Sequence, residues 1–88
     1  MNILLIDDQP NIISSLVAGI AWYELGFTSI FTATSALAAR EILQKNTVDI
    51  VVSDIEMPGE DGISLLTWAR AQGLDYECIL LTAHADFT

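Results

Sequence analysis

The sequence predicts an α/β domain with a doubly wound parallel sheet, and two observations support this class. Four short apolar runs, rich in branched side chains and typical of strands buried on both faces, occur at residues 3–6, 30–32, 50–52 and 78–81. Stretches with apolar residues at helical spacing lie between them. Strands that alternate with helices over short loops form a parallel sheet covered by helices on both faces.

The composition bounds the size and the partners of this chain. Its 88 residues have room for one small domain, and an apolar fraction of 52% indicates a packed core. Twelve acidic residues stand against Arg40, Lys45 and Arg70, which gives a formal net charge of -9. Because so few cations cannot neutralise a row of phosphates, the composition excludes nucleic acid as a partner of this segment.

Cysteine use and the N-terminus predict the compartment. Cys78 is the single cysteine, so no internal disulfide can form, which is typical of a reducing compartment. The first residues carry no basic leader, and no apolar stretch approaches the roughly 18 residues of a membrane span. We therefore expect a cytoplasmic protein without a membrane partner.

The first strand and helix are predicted from residues 3–26. After the strand, Asp8 is a candidate helix cap and Pro10 suits the first helical turn. Apolar residues then recur at helical spacing and predict one buried face, with Gly26 as the end of the helix. These residues are Ile13, Leu16, Val17 and Ile20.

The second and third helices have similar signals. Thr34 or Ser35 can cap the second helix, and Asp61 can cap the third, which Gly73 ends. The predicted apolar stripe of the second helix comprises Leu37, Ala38, Ile42 and Leu43, and that of the third comprises Ile63, Leu66 and Ala69.

Carboxylates follow two of the buried strands. Asp54 stands at the end of the third strand, and Asp7 and Asp8 follow the first. Ligands bind at the carboxyl ends of strands in open α/β sheets, although a lone aspartate there can also serve as a helix cap or loop residue. Since three gathered carboxylates repel one another, their convergence favours a site for a cation.

Three motifs together resemble the receiver domain of two-component response regulators. They are Asp7-Asp8, the segment from Asp54 through Met57-Pro58-Gly59 to Asp61-Gly62, and Thr82-Ala83. The resemblance covers the whole chain and implies a flavodoxin-like sheet with the strand order 2-1-3-4. It also implies that residues 1–88 are a receiver domain that is incomplete at its C-terminus, with a fifth strand expected beyond Thr88.

The resemblance implies a chemistry for these residues. Asp54 would take a phosphoryl group from the phosphohistidine of a sensor histidine kinase, so the domain would catalyse only its own phosphorylation and dephosphorylation. Asp8, Asp54 and the backbone carbonyl of Glu56 would hold Mg²⁺, with Asp7 acting through bound water. The Thr82 hydroxyl would contact the phosphoryl group and act as the switch.

Two other functions remain open at the level of the sequence. A degenerate receiver would only bind a protein partner, and a haloacid-dehalogenase-type phosphatase also uses a strand-terminal Asp followed by an acid, here Asp54-Ile55-Glu56. Residues 21–27 and 85–87 resemble receivers that precede an AraC-type DNA-binding domain, so DNA would be bound only by an output domain absent here. We further expect that the apolar fourth strand lets the chain self-associate.

Overall fold

Seven elements alternate along the chain in a computed structural model, which describes residues 1–54, 62–74 and 77–81. They are β1 (Asn2–Ile6), α1 (Pro10–Gly19), β2 (Ser29–Ala33), α2 (Ala36–Lys45), β3 (Ile50–Asp54), α3 (Gly62–Ala71) and β4 (Glu77–Leu81).

The four strands form one parallel sheet in the order β2-β1-β3-β4. This order confirms the predicted one. The chain leaves β1 toward β2 but leaves β3 in the opposite direction, toward β4. Because parallel crossovers are right-handed, α1 lies on one face of the sheet while α2 and α3 lie on the other. The direction of winding reverses between β1 and β3, and their carboxyl ends border the crevice where ligands bind in such sheets.

The core lies mainly between the sheet and the pair α2 and α3. Leu4 and Ile6 of β1 belong to one buried cluster with residues of both helices, and Val51 joins them from β3. Ile3 and Leu5 alternate with them and face α1, and they too are buried. β1 therefore has the continuous apolar sequence of a strand covered on both faces.

Helix α1 is shorter and less buried than its sequence predicts. It ends at Gly19 because Ile20 adopts an extended conformation, and Gly26, the predicted end, lies in the following turn with a φ of 96°. Of its four predicted core residues only Ile13 is buried, while Val17 and Ile20 are exposed and Leu16 lies between. The predicted buried face is wrong beyond its first turn.

The turn after α1 has its own packing, which explains why the helix stops. The Trp22 indole Nε1–H donates to the carbonyl of Leu16 at 3.1 Å, and the Trp22 and Phe27 rings meet edge to face with centroids 5.8 Å apart. Trp22 thus binds a carbonyl of the last helical turns, and the aromatic pair holds the chain in a compact turn.

The start of α2 agrees with the sequence, and its buried stripe does so except at Leu37. Ser35 is the N-cap, and its hydroxyl accepts from the Ala38 N–H at 3.2 Å. Leu43 is buried as predicted, and the other predicted residues, Ala38 and Ile42, pack partly buried against the core. Leu37 is 71% exposed, and the alanines at 36 and 39 are buried in its place. Because these alanines are small, the helix approaches the sheet closely, and the large Leu37 side chain lies on its exposed side.

Helix α3 packs beside α2 on the same face. Leu65 and Ala69 are buried, and the predicted Leu66 packs partly buried against the same cluster. Gly73 follows the helix with a φ of 75°, and its N–H donates to the Arg70 carbonyl, which confirms the predicted end. The predicted cap Asp61 and the side chain of Ile63 lie outside the described part.

Candidate functional site

The ends of β1 and β3 bring the predicted acidic residues to one edge of the sheet. The two strands pair in register through Ile6 and Ser53, and the next residue on each chain is an aspartate, Asp7 or Asp54. Neighbouring strands lie about 4.8 Å apart, so the backbones of these two residues are adjacent. This end of the sheet, with Asp7, Asp8 and Asp54, is called the acidic edge below.

Asp7 is held firmly at this edge. It is 9% exposed, its N–H donates to the Ala33 carbonyl at 3.1 Å, and its Oδ1 accepts from the Gln9 N–H at 2.9 Å. The carboxylate therefore satisfies a backbone donor at the start of α1. Gln9, rather than the predicted Asp8, is the N-cap residue of α1, and its side chain makes no cap hydrogen bond.

The role of the Gln9 backbone was not predicted from the sequence. The one available signal was Pro10, which occupies the first turn of α1 and so places Gln9 at the cap. Because Gln9 occupies the cap position, Asp8 lies one residue before it and is not the cap. The Asp8 side chain is partly exposed at the edge, where it can serve another purpose.

The remaining predicted site residues are only partly described. For Asp54 the backbone is placed as the last residue of β3, while Glu56, Thr82, Ala83 and the intervening loop lie outside the described residues. Among the residues that are described, no group of three or more metal-binding side chains is found. The register of β1 and β3 places the backbones of Asp7 and Asp54 side by side, and the convergence of the three carboxylates stays a prediction.

The donors present fit a hard divalent cation. Asp7 and Asp8 contribute carboxylate oxygens, and Asp54 follows on the adjacent strand in register. Mg²⁺ prefers oxygen ligands, keeps several waters and uses only one or two carboxylates directly. Asp7 is buried and already hydrogen-bonded, whereas Asp8 is more accessible. This difference fits a site in which Asp7 would act through bound water and Asp8 would bind the cation directly.

A separate cavity of about 330 Å³ lies at the opposite end of the sheet. Residues 43–48 and 73–74 line it, and these segments precede β3 and β4. It is thus removed from the acidic edge and belongs to a different part of the surface.

None of the described helices is long and apolar enough to cross a membrane.

Curated relatives of this chain are response regulators. An uncharacterised response regulatory protein of Staphylococcus epidermidis is 33% identical over 85 residues, and the transcriptional regulatory protein HptR of Staphylococcus aureus is 31% identical over 85 residues. Both alignments cover 97% of this chain but 33% of the relative. The chain therefore spans about a third of the length of the curated relatives it matches.

Solved structures agree with the fold. A two-component transcriptional regulator AraC from Clostridium phytofermentans superposes with a TM-score of 0.87 at 29% identity, over 99% of this chain and 70% of that one. The response regulator TrrA of Thermotoga maritima, in complex with Mg²⁺–BeF, superposes with a TM-score of 0.81 at 36% identity, over 96% and 70% of the two chains. TrrA in complex with the histidine kinase ThkA gives a TM-score of 0.81 at 35% identity, covering 98% and 72%.

A family model decides the assignment. The model for the response regulator receiver domain matches residues 3–88, which include all the elements described above except the first residue of β1, and all three sequence motifs. With the parallel sheet, its strand order and the acidic edge in place, the chain belongs to the response regulator receiver domain family.

Proposed function

We propose that Asp54 is the phosphoacceptor of this receiver domain. The observation that carries the proposal is the register of β1 and β3, which places Asp54 next to Asp7 at the carboxyl ends of adjacent central strands. A carboxylate can act as a nucleophile toward a phosphoryl group if the negative charges of both are compensated. The carboxylates of the acidic edge would bind the cation that compensates these charges.

The metal ligands in this proposal are Asp8, Asp54 and the Glu56 carbonyl, with Asp7 acting through water. When bound, Mg²⁺ neutralises charge on the transferring phosphoryl group. Asp7 orients the site through its fixed carboxylate, because its hydrogen bond to the Gln9 N–H leaves it little freedom. The complex of the related TrrA with Mg²⁺–BeF supports this choice of metal.

The carboxylate of Asp54 attacks phosphorus, and the bond between phosphorus and the donor breaks, which leaves an acyl phosphate on Asp54. Thr82 follows β4, the neighbour of β3, and its hydroxyl donates to a phosphoryl oxygen in this scheme. Movement of Thr82 toward the phosphoryl group would carry the signal out of the site. The domain turns over no separate substrate and catalyses only its own phosphorylation and dephosphorylation.

The donor in this proposal is the phosphohistidine of a sensor histidine kinase, and the receiver acts in the cytoplasm. The complex between TrrA and the histidine kinase ThkA supports a partner of this kind. The relatives named as transcriptional regulators are about three times as long as the matched segment. An output domain outside these residues would therefore bind DNA and regulate transcription. The AraC-named structure is consistent with such an output.

Labelling by a small phosphodonor tests the proposal. With acetyl phosphate and Mg²⁺, mass spectrometry should detect one added phosphoryl group on the parent chain, and Asp54→Asn should lose it. Asp49→Asn is the matched control, because Asp49 lies at the other end of β3 and should label normally. Undiminished labelling of Asp54→Asn would disprove the assignment of the nucleophile.

The same experiment separates the alternatives. A degenerate receiver that only binds a partner would show no labelling of the parent chain at any Mg²⁺ concentration. The match of residues 3–88 to the receiver family leaves no support for the haloacid-dehalogenase-type phosphatase.

Self-association through β4 remains a proposal. Among the described strands β4 pairs only with β3, and its central Ile79 is 51% exposed. An apolar strand edge can pair with another chain. Substitution of Ile79 by Glu should weaken any association made by this edge, as sedimentation would show.

A further inference from the structure

A long neutral stretch separates two charged parts of this chain. Residues 9–39 carry one charged side chain, Glu24, although the whole sequence has fifteen acidic and basic residues. The stretch comprises α1, the turn after it, β2 and the start of α2. The net charge of -9 is therefore concentrated elsewhere, and this part of the surface is nearly free of it.

The edge strand β2 lies within the neutral stretch. β2 pairs with β1 on one side, and no described strand pairs with its other side. Exposed sheet edges are usually protected by charged side chains or proline. The sequence of β2, Ser-Ile-Phe-Thr-Ala, contains neither, so its edge is not protected against pairing with another strand.

The backbone of β2 offers hydrogen-bonding groups along this edge. The Ala33 carbonyl accepts from the Asp7 N–H at 3.1 Å, so the backbone groups of Ala33 face β1. Because successive residues of a strand direct their backbone groups to opposite sides, those of Ile30 and Thr32 point away from β1. Two donors and two acceptors are thus presented outward.

Large apolar side chains are exposed in the segments before and after this strand. Tyr23 is 83% exposed and Leu25 61%, both in the turn that leads into β2, and Leu37 is exposed in the first turn of α2, shortly after it. The neutral stretch therefore exposes apolar side chains near both ends of the unprotected edge, and exposed apolar surface is a feature of interaction sites.

We infer that β2 is a dimerisation edge, which pairs antiparallel with β2 of a second copy of this chain. The charge distribution selects this partner: two copies that each carry a charge of -9 repel, and the neutral stretch is where they can approach with the least repulsion. A basic partner would instead favour the acidic parts of the surface. Edge β4 is less suitable, because it contains the exposed Glu77.

The geometry of the pair follows from the outward residues. With a two-fold axis at Phe31, the N–H and carbonyl of Ile30 bond to those of Thr32 in the second copy, and those of Thr32 bond to Ile30 of the second copy. The Thr32 side chain is exposed and lies in this seam. Since only a short strand pairs, we expect a weak dimer rather than an obligate one.

Sedimentation equilibrium of the purified chain tests this inference. We expect a reversible monomer–dimer equilibrium in samples up to about 500 µM, which includes the range of weak complexes. Because salt screens the mutual repulsion, association should strengthen between about 20 mM and about 300 mM NaCl, where the screening length shortens several-fold. An interface held by ion pairs would weaken instead.

Charge placed at the edge should disrupt the dimer. Thr32→Glu should raise the dissociation constant at least about tenfold, which corresponds to about 1.4 kcal/mol of like-charge and desolvation cost. Thr32→Gln controls for size, and Gln44→Glu adds the same charge at an exposed site on α2; each should leave the dissociation constant within about threefold of the parent, as surface changes usually do. Thermal unfolding by circular dichroism verifies that all three variants are folded.

Amide hydrogen exchange identifies the edge directly. Exchange at the outward amides of Ile30 and residue 32 should slow as the parent concentration rises and should stay fast in Thr32→Glu, whereas Phe31 is already protected by its pairing with β1. A chain that stays monomeric at the highest concentration and salt overturns the inference. So does a dimer that Ile79→Glu disrupts and Thr32→Glu does not, since that result assigns the contact to β4.

Discussion

Asp49 shows how the backbone and side chain of a single residue can join three strands. Its Oδ2 accepts from the Asn2 N–H at 2.7 Å, its own N–H donates to the Asn2 carbonyl, and its carbonyl accepts from the Glu77 N–H. The starts of β1, β3 and β4 are thereby tied at the end of the sheet opposite the acidic edge. The sequence places Asp49 before a strand rather than after one, which separates it from the candidate site but does not predict these bonds.

We predict that Asp49→Ala lowers the free energy of unfolding by about 1.5–3 kcal/mol, because the Asn2 N–H loses a charged acceptor in a partly buried site. Asp49→Asn keeps an acceptor oxygen and should cost less. Urea denaturation measures both, with Glu41→Ala, an exposed carboxylate of α2, as the control that should change stability by less than about 0.5 kcal/mol. Equal losses for Asp49→Ala and Glu41→Ala would contradict the role of Asp49.

At the scale of the element, a side-chain cap defines the start of α2, and a cation–π contact joins α2 to α3. Ser35 caps its first turn, and the Arg40 guanidinium carbon lies 4.9 Å from the centroid of the Trp68 ring on α3. Arg40 and Trp68 are both half-buried, and a guanidinium over an indole face in such a setting is stabilising by about 1 kcal/mol. Cap and cation–π contact together set where α2 begins and how it meets its neighbour.

The cap gives a prediction with a close control. Ser35→Ala should destabilise the chain by about 1 kcal/mol, because the Ala38 N–H loses its acceptor at the N-terminus of α2. Thr34→Ala changes the adjacent exposed residue, which is not the cap, and should have little effect. Chemical denaturation of the two variants compares them, and the reverse order of stabilities would show that Thr34 is the true cap.

At the scale of the whole molecule, the charge of -9 makes cation binding a source of stability. The backbones of Asp7, Asp8 and Asp54 lie at the acidic edge, where repulsion among their carboxylates would oppose folding. A cation that binds there in the folded state alone raises the free energy of unfolding by mass action.

We therefore predict that MgCl₂ raises the melting temperature more than NaCl at equal ionic strength. Asp8→Asn should remove most of this difference, because it deletes the accessible carboxylate of the site. Asp49→Asn changes the net charge equally at the opposite end of the sheet and should retain the difference. Equal effects of the two salts on the parent chain would show that Mg²⁺ acts only by screening.

The sequence by itself determined the fold class, the four strands, their order through the family resemblance, and the placement of Asp7, Asp8 and Asp54 at one edge. It could do so because short apolar runs flanked by helical periodicity leave few parallel topologies, and because carboxylates that end such strands must meet at one edge.

The tertiary structure alone decided where helices stop and which of their faces are buried. Helix α1 ends at Gly19 because the turn around Trp22 competes for its last carbonyls, and α2 turns Ala36 and Ala39 inward instead of Leu37 because closeness to the sheet favours small side chains. Gln9 rather than Asp8 occupies the N-cap position of α1, and the Gln9 N–H donates to the Asp7 carboxylate. The residue pattern within one helix cannot specify these outcomes, because each depends on how a neighbouring element packs against that helix.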